Sequence, residues 1–158
     1  MPSELAISNL RNITWMLEPA ANRIWHAWSM SRGLQLKEVI AKLEGIAGSD
    51  NEFTLIAHTG DTFIGTVSLI ESDLPERSNL SPWIAAVWVD IEFRKHGVGS
   101  ALIGAAERLA TSFGYGVLHL YCAPELRSFY SNLGWVEIEA EVGKGGSSVF
   151  EKKIGGPP

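Results

Sequence analysis

Six consecutive residues, Arg94-Lys95-His96-Gly97-Val98-Gly99, bring two cations, a histidine and two closely spaced glycines into one short turn. An apolar, strand-like run from Trp83 to Val89 precedes it, and an amphipathic segment follows. In that segment Val98, Leu102, Ala105, Leu109 and Phe113 recur at steps of three and four, which places them on one face of a helix. The glycines then stand at the helix N-terminus. Main-chain NH groups there have no intrahelical partner, the macrodipole favours an anion, and the missing side chains let phosphate oxygens come close. The chemistry implied is pyrophosphate binding, although glycines chosen only for their backbone angles would give the same spacing.

Two other glycine-rich phosphate motifs are excluded. A dinucleotide fingerprint needs a third glycine three residues after Gly99, where Leu102 stands. A P-loop needs Gly-Lys followed directly by Ser or Thr, and Gly143-Lys144-Gly145-Gly146-Ser147 breaks that order. It reads instead as a glycine turn between two late strands.

The elements that must position the first turn can be read along the chain. A short strand is expected near 4–8. A helix follows Pro19 with Ile24, Trp25 and Trp28 on one face, and a second runs from Leu36 to Gly45 or Gly48 with Val39, Ile40 and Leu43 inward. Strands are expected from Phe53 to His58 and from Phe63 to Ile70, joined at Thr59-Gly60-Asp61. The stretch 71–81 is polar and irregular and leads into the Trp83 strand, expected to be covered on both faces. After the long helix come a strand from Val117 to Tyr121 and a short helix opened by Pro124, with Leu126, Phe129 and Leu133 inward and Gly134 ending it. Strands near 135–140 and 148–153 close the chain. The pattern predicts one domain over 1–154 and a loose tail, 155–158.

Composition narrows the classes. The chain has 158 residues, 46% of them hydrophobic and 20% charged, enough apolar surface for a packed core. A net charge of -5 makes nucleic acid a poor partner and an amine-bearing cation a better one. Cys122 is the only cysteine, so neither an internal disulfide nor a cysteine zinc site can form, which suits a reducing cytoplasm. Cys122 reads as a small buried hydrophobe. His26, His58, His96 and His119 lack short ligand spacing, so no metal is expected, though His119 on an alternating strand could face a cleft. No apolar run is long enough to span a bilayer, and the first residues lack a signal-peptide pattern, so no membrane partner and a cytoplasmic location are expected. Trp15, Trp25, Trp28, Trp83 and Trp88 are expected mostly in the core, with Trp83 or a helical Trp available to wall a pocket.

Arg94, Gly97 and Gly99, with Val87 and Val89 ending the strand before them, resemble the Arg/Gln-x-x-Gly-x-Gly/Ala signature of the GNAT superfamily, the N-acetyltransferases that use acyl coenzyme A. A second match follows in order: Arg127-Ser128-Phe129-Tyr130-Ser131-Asn132-Leu133-Gly134-Trp135 is similar to the family's Phe-Tyr-x-x-x-Gly-Phe/Trp segment. The resemblance implies an α/β (α+β) fold: a mixed, largely antiparallel twisted sheet, splayed between strands 4 and 5, with helices on both faces. It implies acetyl-CoA as co-substrate and a direct, ternary-complex transfer of acetyl to an amine. Cofactor contacts are implied at Val87, Trp88, Val89, Arg94, Lys95, His96, Gly97, Val98, Gly99, Ser100 and Tyr130.

By the same resemblance, the Val87 NH would donate to the oxyanion and the Tyr130 phenol would act as general acid. Many relatives carry a Glu on strand four or on a neighbouring strand as base, but on strand four Trp83, Ile84, Ala85 and Ala86 offer none. Glu71 and Asp73, at the end of the preceding strand, are the nearest candidates by topology, as base or as attraction for an ammonium group. Ala123-Pro124 stands where relatives often place a coenzyme-contacting Asn. The missing strand-four acid also fits a non-catalytic acyl-CoA sensor, and the resemblance leaves a homodimer open.

Overall fold

The structure, a computed structural model, describes residues 4–155. Seven strands, β1 (Ala6–Asn9), β2 (Phe53–Thr59), β3 (Thr62–Ile70), β4 (Trp83–Val89), β5 (Val117–Cys122), β6 (Val136–Val142) and β7 (Ser147–Lys153), alternate with helices α1 (Leu17–Ile24), α2 (Leu36–Ala47), α3 (Val98–Ser112) and α4 (Arg127–Asn132). The strands hydrogen-bond in the order β1-β2-β3-β4-β5-β7-β6. This is the mixed sheet with flanking helices that the resemblance implies. The β4–β5 pair is parallel and meets in register at Trp83↔His119, while β1–β2, β5–β7 and β6–β7 are antiparallel.

The chain folds as two compact units. The first comprises residues up to Ser68 with Ala86–Ala106, and the second Leu69–Ala85 with Glu107 onward. In the first, α2 forms because Val39, Leu43 and Ile46 recur at steps of four and three and are all buried. Its first turn is closed by the Glu38 carboxylate, which accepts the Gln35 NH at 2.6 Å. From Phe63 onward β3 is buried at every residue, so it lacks alternation. Its polar members are satisfied: Thr66 donates to the Leu55 carbonyl at 3.1 Å, and the Thr54 and Ser68 hydroxyls lie 2.7 Å apart.

In the second unit Trp83, Leu118, Leu120, Val149 and Phe150 form the centre of the core. The Trp83 indole donates to the Leu80 carbonyl at 2.7 Å, and the His119 NH donates to the Pro82 carbonyl at 3.0 Å, which fixes the end of the 71–82 segment on the sheet. Gly143 to Gly146 make the expected turn between β6 and β7. Gly155 is exposed, though a side chain there would meet Thr111 Cγ2 at 3.3 Å, and 156–158 lie outside the described residues.

Several expectations are corrected. The first helix does not continue regularly past Ile24; it widens into a π-helical turn, Trp25–Ser29, and tightens into a 3-10 turn, Met30–Arg32, ending at Gly33 with φ +81. The aromatic spacing therefore no longer tracks one face, and Trp28 is exposed; Trp15, on a 3-10 turn before α1, is exposed as well. Trp83 is completely buried with its indole NH paired, and it walls no open pocket. In α3 the buried stripe is Val98, Leu102, Ile103, Ala106 and Ala110, and Phe113, just past the helix end, is exposed. In α4 the inward residue is Tyr130 while Phe129 is exposed, because a six-residue helix can turn only a narrow arc to the core; Leu126, in the 3-10 turn Pro124–Leu126 before it, is exposed too.

Candidate functional site

The Arg94–Gly99 turn lies in the first unit and does join β4 to α3. Two residues hold the left-handed backbone that a non-hydrogen-bonded turn of this kind needs: Lys95 has φ +67 and Gly97 φ +84. The first bond into the helix is from the Ala101 NH to the Gly97 carbonyl, at 3.0 Å. The amides of Val98, Gly99 and Ser100 precede it and point out of the helix end. A Cβ on Gly97 would meet nothing within 4 Å, so the turn opens outward. Lys95 and His96 are exposed. A doubly negative pyrophosphate fits this arrangement of donors and charge.

Main-chain direction along β4 follows from two contacts to β3. The Asp90 NH donates to the Ile64 carbonyl at 2.8 Å, and the Trp88 carbonyl oxygen lies 2.6 Å from where a Gly65 Cβ would stand. Residues two apart present their amides to the same edge, so Val87 and Val89 present theirs to the opposite edge. An extended, amide-bearing ligand could pair there as an added strand. The backbone bends immediately before, at Ala86, whose φ of +54 is a left-handed value without glycine's freedom. The register of β4 with β5 is confined to Trp83↔His119, and from Ala85 onward β4 is only half-buried. The fully covered strand expected from its apolar run is thus half covered.

Side chains brace this turn. Arg94 donates through Nε to the Val89 carbonyl at 2.7 Å, and its guanidinium lies 4.6 Å from the centre of the Trp88 ring. The Trp88 indole donates to Asp90 Oδ1 at 2.8 Å, and Asp90 is ion-paired with Arg23 of α1. A cleft of about 460 Å³ is bounded by Asn22, Arg23, His26, Trp88, Asp90, Ile91 and Glu92, all in this unit. Arg23 and Asp90 carried no signal in the sequence: they are 67 residues apart, and neither sits in a motif.

The second unit holds the remaining candidates. Tyr130 is buried, its ring 5.0 Å from Phe129, edge to face, and 6.2 Å from Phe150. Burial pushes the phenol's pKa well above its ordinary value, with the nearby Cys122 adding to the shift. Tyr130 is therefore protonated at neutral pH. Cys122 is a buried free thiol whose pKa burial raises to about 11, so it is no nucleophile. Glu71 is exposed and Asp73 half-buried in the segment after β3. That segment is tied to β6 by Arg77, whose guanidinium grips the Glu139 carboxylate through Nε and Nη2 and holds its pKa below the usual range. His119 is buried against Glu151, Nε2 to Oε2 3.3 Å. Among the described residues no cluster of His, Cys, Asp and Glu could hold a metal ion, and no helix is long and apolar enough to cross a membrane.

Comparison with known proteins follows the same residues. The model of the Acetyltransferase (GNAT) family matches residues 12–135. Among solved structures, the chain is similar to an aminoglycoside 6'-N-acetyltransferase complexed with coenzyme A, at a TM-score of 0.76 and 14% identity over 97% of this chain and 99% of that one. It is similar to the aminoglycoside 6'-N-acetyltransferase of Enterococcus faecium, at 0.72 and 15% over 97% and 99%. It is also similar to mutant forms of the spermidine/spermine N-acetyltransferase SpeG of Vibrio cholerae, at 0.69 and 18% over 96% and 95%. No curated protein sequence matches.

Proposed function

Because the chain belongs to the GNAT family of acetyltransferases, we propose that it moves an acetyl group from acetyl-CoA directly to the amine of a cationic small molecule or peptide. The observation that carries the reading is the amide-lined turn at residues 94–100, set after a strand whose Val87 and Val89 amides face away from β3. Acetyl-CoA supplies an acyl thioester. This chain's residues supply the rest.

In the first unit, Val98, Gly99 and Ser100 amides would hold the pyrophosphate, with Lys95 and His96 adding charge at the rim. The Arg94 guanidinium, braced on Val89 and Trp88, keeps its two terminal nitrogens for the same anion. Val87 and Val89 would pair with the amides of the extended arm. The Val87 NH would then be aimed at the carbonyl oxygen on which negative charge develops as the amine nitrogen bonds to the carbonyl carbon.

In the second unit, Tyr130 would serve the departing sulfur. Burial keeps the phenol protonated at rest, so it can offer its hydrogen to the sulfur as the carbon–sulfur bond breaks. The amine loses one proton in the reaction, to water or to Glu71 or Asp73, and the thiolate takes one from the Tyr130 phenol, which water reprotonates, so the products are an amide and a free thiol. The segment carrying Glu71, Asp73 and Glu76 favours an acceptor with more than one positive charge.

The test is acetyl-CoA binding by calorimetry together with thiol release against a panel of amines, opening with a polyamine and an aminoglycoside. Binding with turnover is expected, and Tyr130→Phe is expected to keep acetyl-CoA affinity while losing about 10²-fold in kcat. Binding without thiol release from any amine would make the chain a sensor of acyl-CoA; no binding would overturn both readings.

A further inference from the structure

Tyr130 stands on a helix of only six residues, too short to hold its own position. Its carbonyl accepts two main-chain bonds from the turn that follows, from the Leu133 NH at 3.0 Å and the Trp135 NH at 3.1 Å. That turn is held by two side chains from outside it, Lys152 and Glu107, and by its own Trp135. Lys152 on β7 donates from Nζ to the Leu133 carbonyl at 2.8 Å and to Glu107 Oε1 at 2.9 Å. The Trp135 indole donates to the other oxygen, Glu107 Oε2, at 3.3 Å. One carboxylate on α3 thus ties both ends of the Leu133-Gly134-Trp135 turn, one through an ammonium and one through an indole.

The environment makes the grip strong. Trp135 is almost fully buried, and the Glu107 side chain is only 17% exposed. Charge-assisted bonds shielded in this way hold geometry better than exposed pairs. Lys152 also places a positive charge on a carbonyl at the C-terminal end of α4, where the helix dipole is negative. Gly134, with φ +90, turns the chain so that Lys152 Nζ passes within 3.5 Å of where a side chain would start.

We infer that Glu107, acting through Lys152 and Trp135, is the positioning residue that sets where Tyr130 stands during acetyl transfer. The inference rests on the reading of Tyr130 as the donor to the leaving sulfur. Glu107 touches no substrate; it fixes the backbone from which the phenol projects. A reacting group displaced by about 1 Å is enough to lower a rate severely.

The experiment is a double-mutant cycle on kcat with Glu107→Gln, Tyr130→Phe and the pair, at saturating acetyl-CoA and an amine found to turn over. Glu107→Gln is expected to lower kcat about tenfold, to leave the KM for acetyl-CoA within about twofold, and to have no further effect on kcat in the Tyr130→Phe background. Amide exchange at Leu133 and Trp135 is expected to rise. Lys152→Met should reproduce the loss and Lys152→Arg should restore it, and these variants decide the matter if Glu107→Gln does not fold. The inference is overturned if Glu107→Gln lowers kcat equally in both backgrounds, or leaves kcat or the exchange rates unchanged while Tyr130→Phe is impaired. An unimpaired Tyr130→Phe would instead overturn the underlying role of Tyr130, and this inference with it.

Discussion

The Arg23 guanidinium meets the Asp90 carboxylate edge on, Nε to Oδ1 at 3.2 Å and Nη2 to Oδ2 at 3.1 Å, and so bolts α1 to the end of β4. The same Oδ1 accepts the Trp88 indole, and the Trp88 ring carries the Arg94 guanidinium. A chain of contacts therefore runs from α1 to the first residue of the Arg94–Gly99 turn. Arg23 itself lies over the Phe63 ring at 4.8 Å, which ties β3 into the same assembly.

Asp90→Asn should test that chain. It keeps the size of the side chain but removes the charge that pairs with a half-buried guanidinium. The expected loss is about 1–3 kcal/mol of stability in urea denaturation, with a several-fold rise in the KM for acetyl-CoA and little change in kcat. An unchanged unfolding midpoint would mean that the pair contributes nothing to holding the turn.

Gly65→Ala should be costly although it adds one methyl group. Its Cβ would stand 2.6 Å from the Trp88 carbonyl oxygen and 3.1 Å from Leu102 Cδ1, and the first of these is backbone that cannot swing aside. Strand β4 would have to move away from β3 or lose register at Trp88. A lower melting temperature, by an amount matching about 1–3 kcal/mol, and weaker acetyl-CoA binding are expected. Wild-type values for both would show that β4 has room to shift without disturbing Val87 and Val89.

The pH dependence of stability should carry a signature of Cys122. Its thiol has a pKa of about 11 in the fold against an ordinary value of 9.0, because burial disfavours the thiolate. Between those values the unfolded chain has released the proton and the folded chain retains it. The unfolded state then binds fewer protons, so stability is full below about pH 9 and falls as pH rises toward 11. Tyr130, raised in the same sense, adds to the fall from its ordinary value upward. Denaturation midpoints measured from pH 7 to 10.5 should decline, and Cys122→Ala should flatten the part of the decline between pH 9 and 10; an identical slope in the variant would refute the assignment.

What the sequence disclosed depended on whether the controlling force was periodic. The bounds of β4 and the start of α3 were legible because a buried strand and an amphipathic helix leave apolar patterns, and the glycines between them mark a turn that few other residues can make. The short helix carrying Tyr130 was legible in place but not in facing, since six residues contain too little of a 3.6-residue period to fix which side is inward. Trp28 is exposed because the π-helical turn at Trp25–Ser29 shifts the phase of the helix, and nothing in residue type announces it; Trp15 is exposed on a 3-10 turn ahead of α1, too short to carry a period. Ala86 is silent for a related reason: alanine has no preference for φ +54, and the surrounding strands impose it. Glu107, Lys152 and Trp135 meet only through the fold, and a charge 45 residues from its partner leaves no local trace.

The bend at Ala86 and the amides that follow it have a consequence for divergence. Under the proposed function, much of the recognition from Val87 to Ser100 is done by main-chain atoms, which every residue type except proline supplies. Selection on such a surface acts on backbone shape and on a few glycines, and leaves most side chains free to drift. Change of acceptor during evolution would then fall on the side chains of loops such as 71–82, while the amide-lined turn passed unaltered through the substitutions around it.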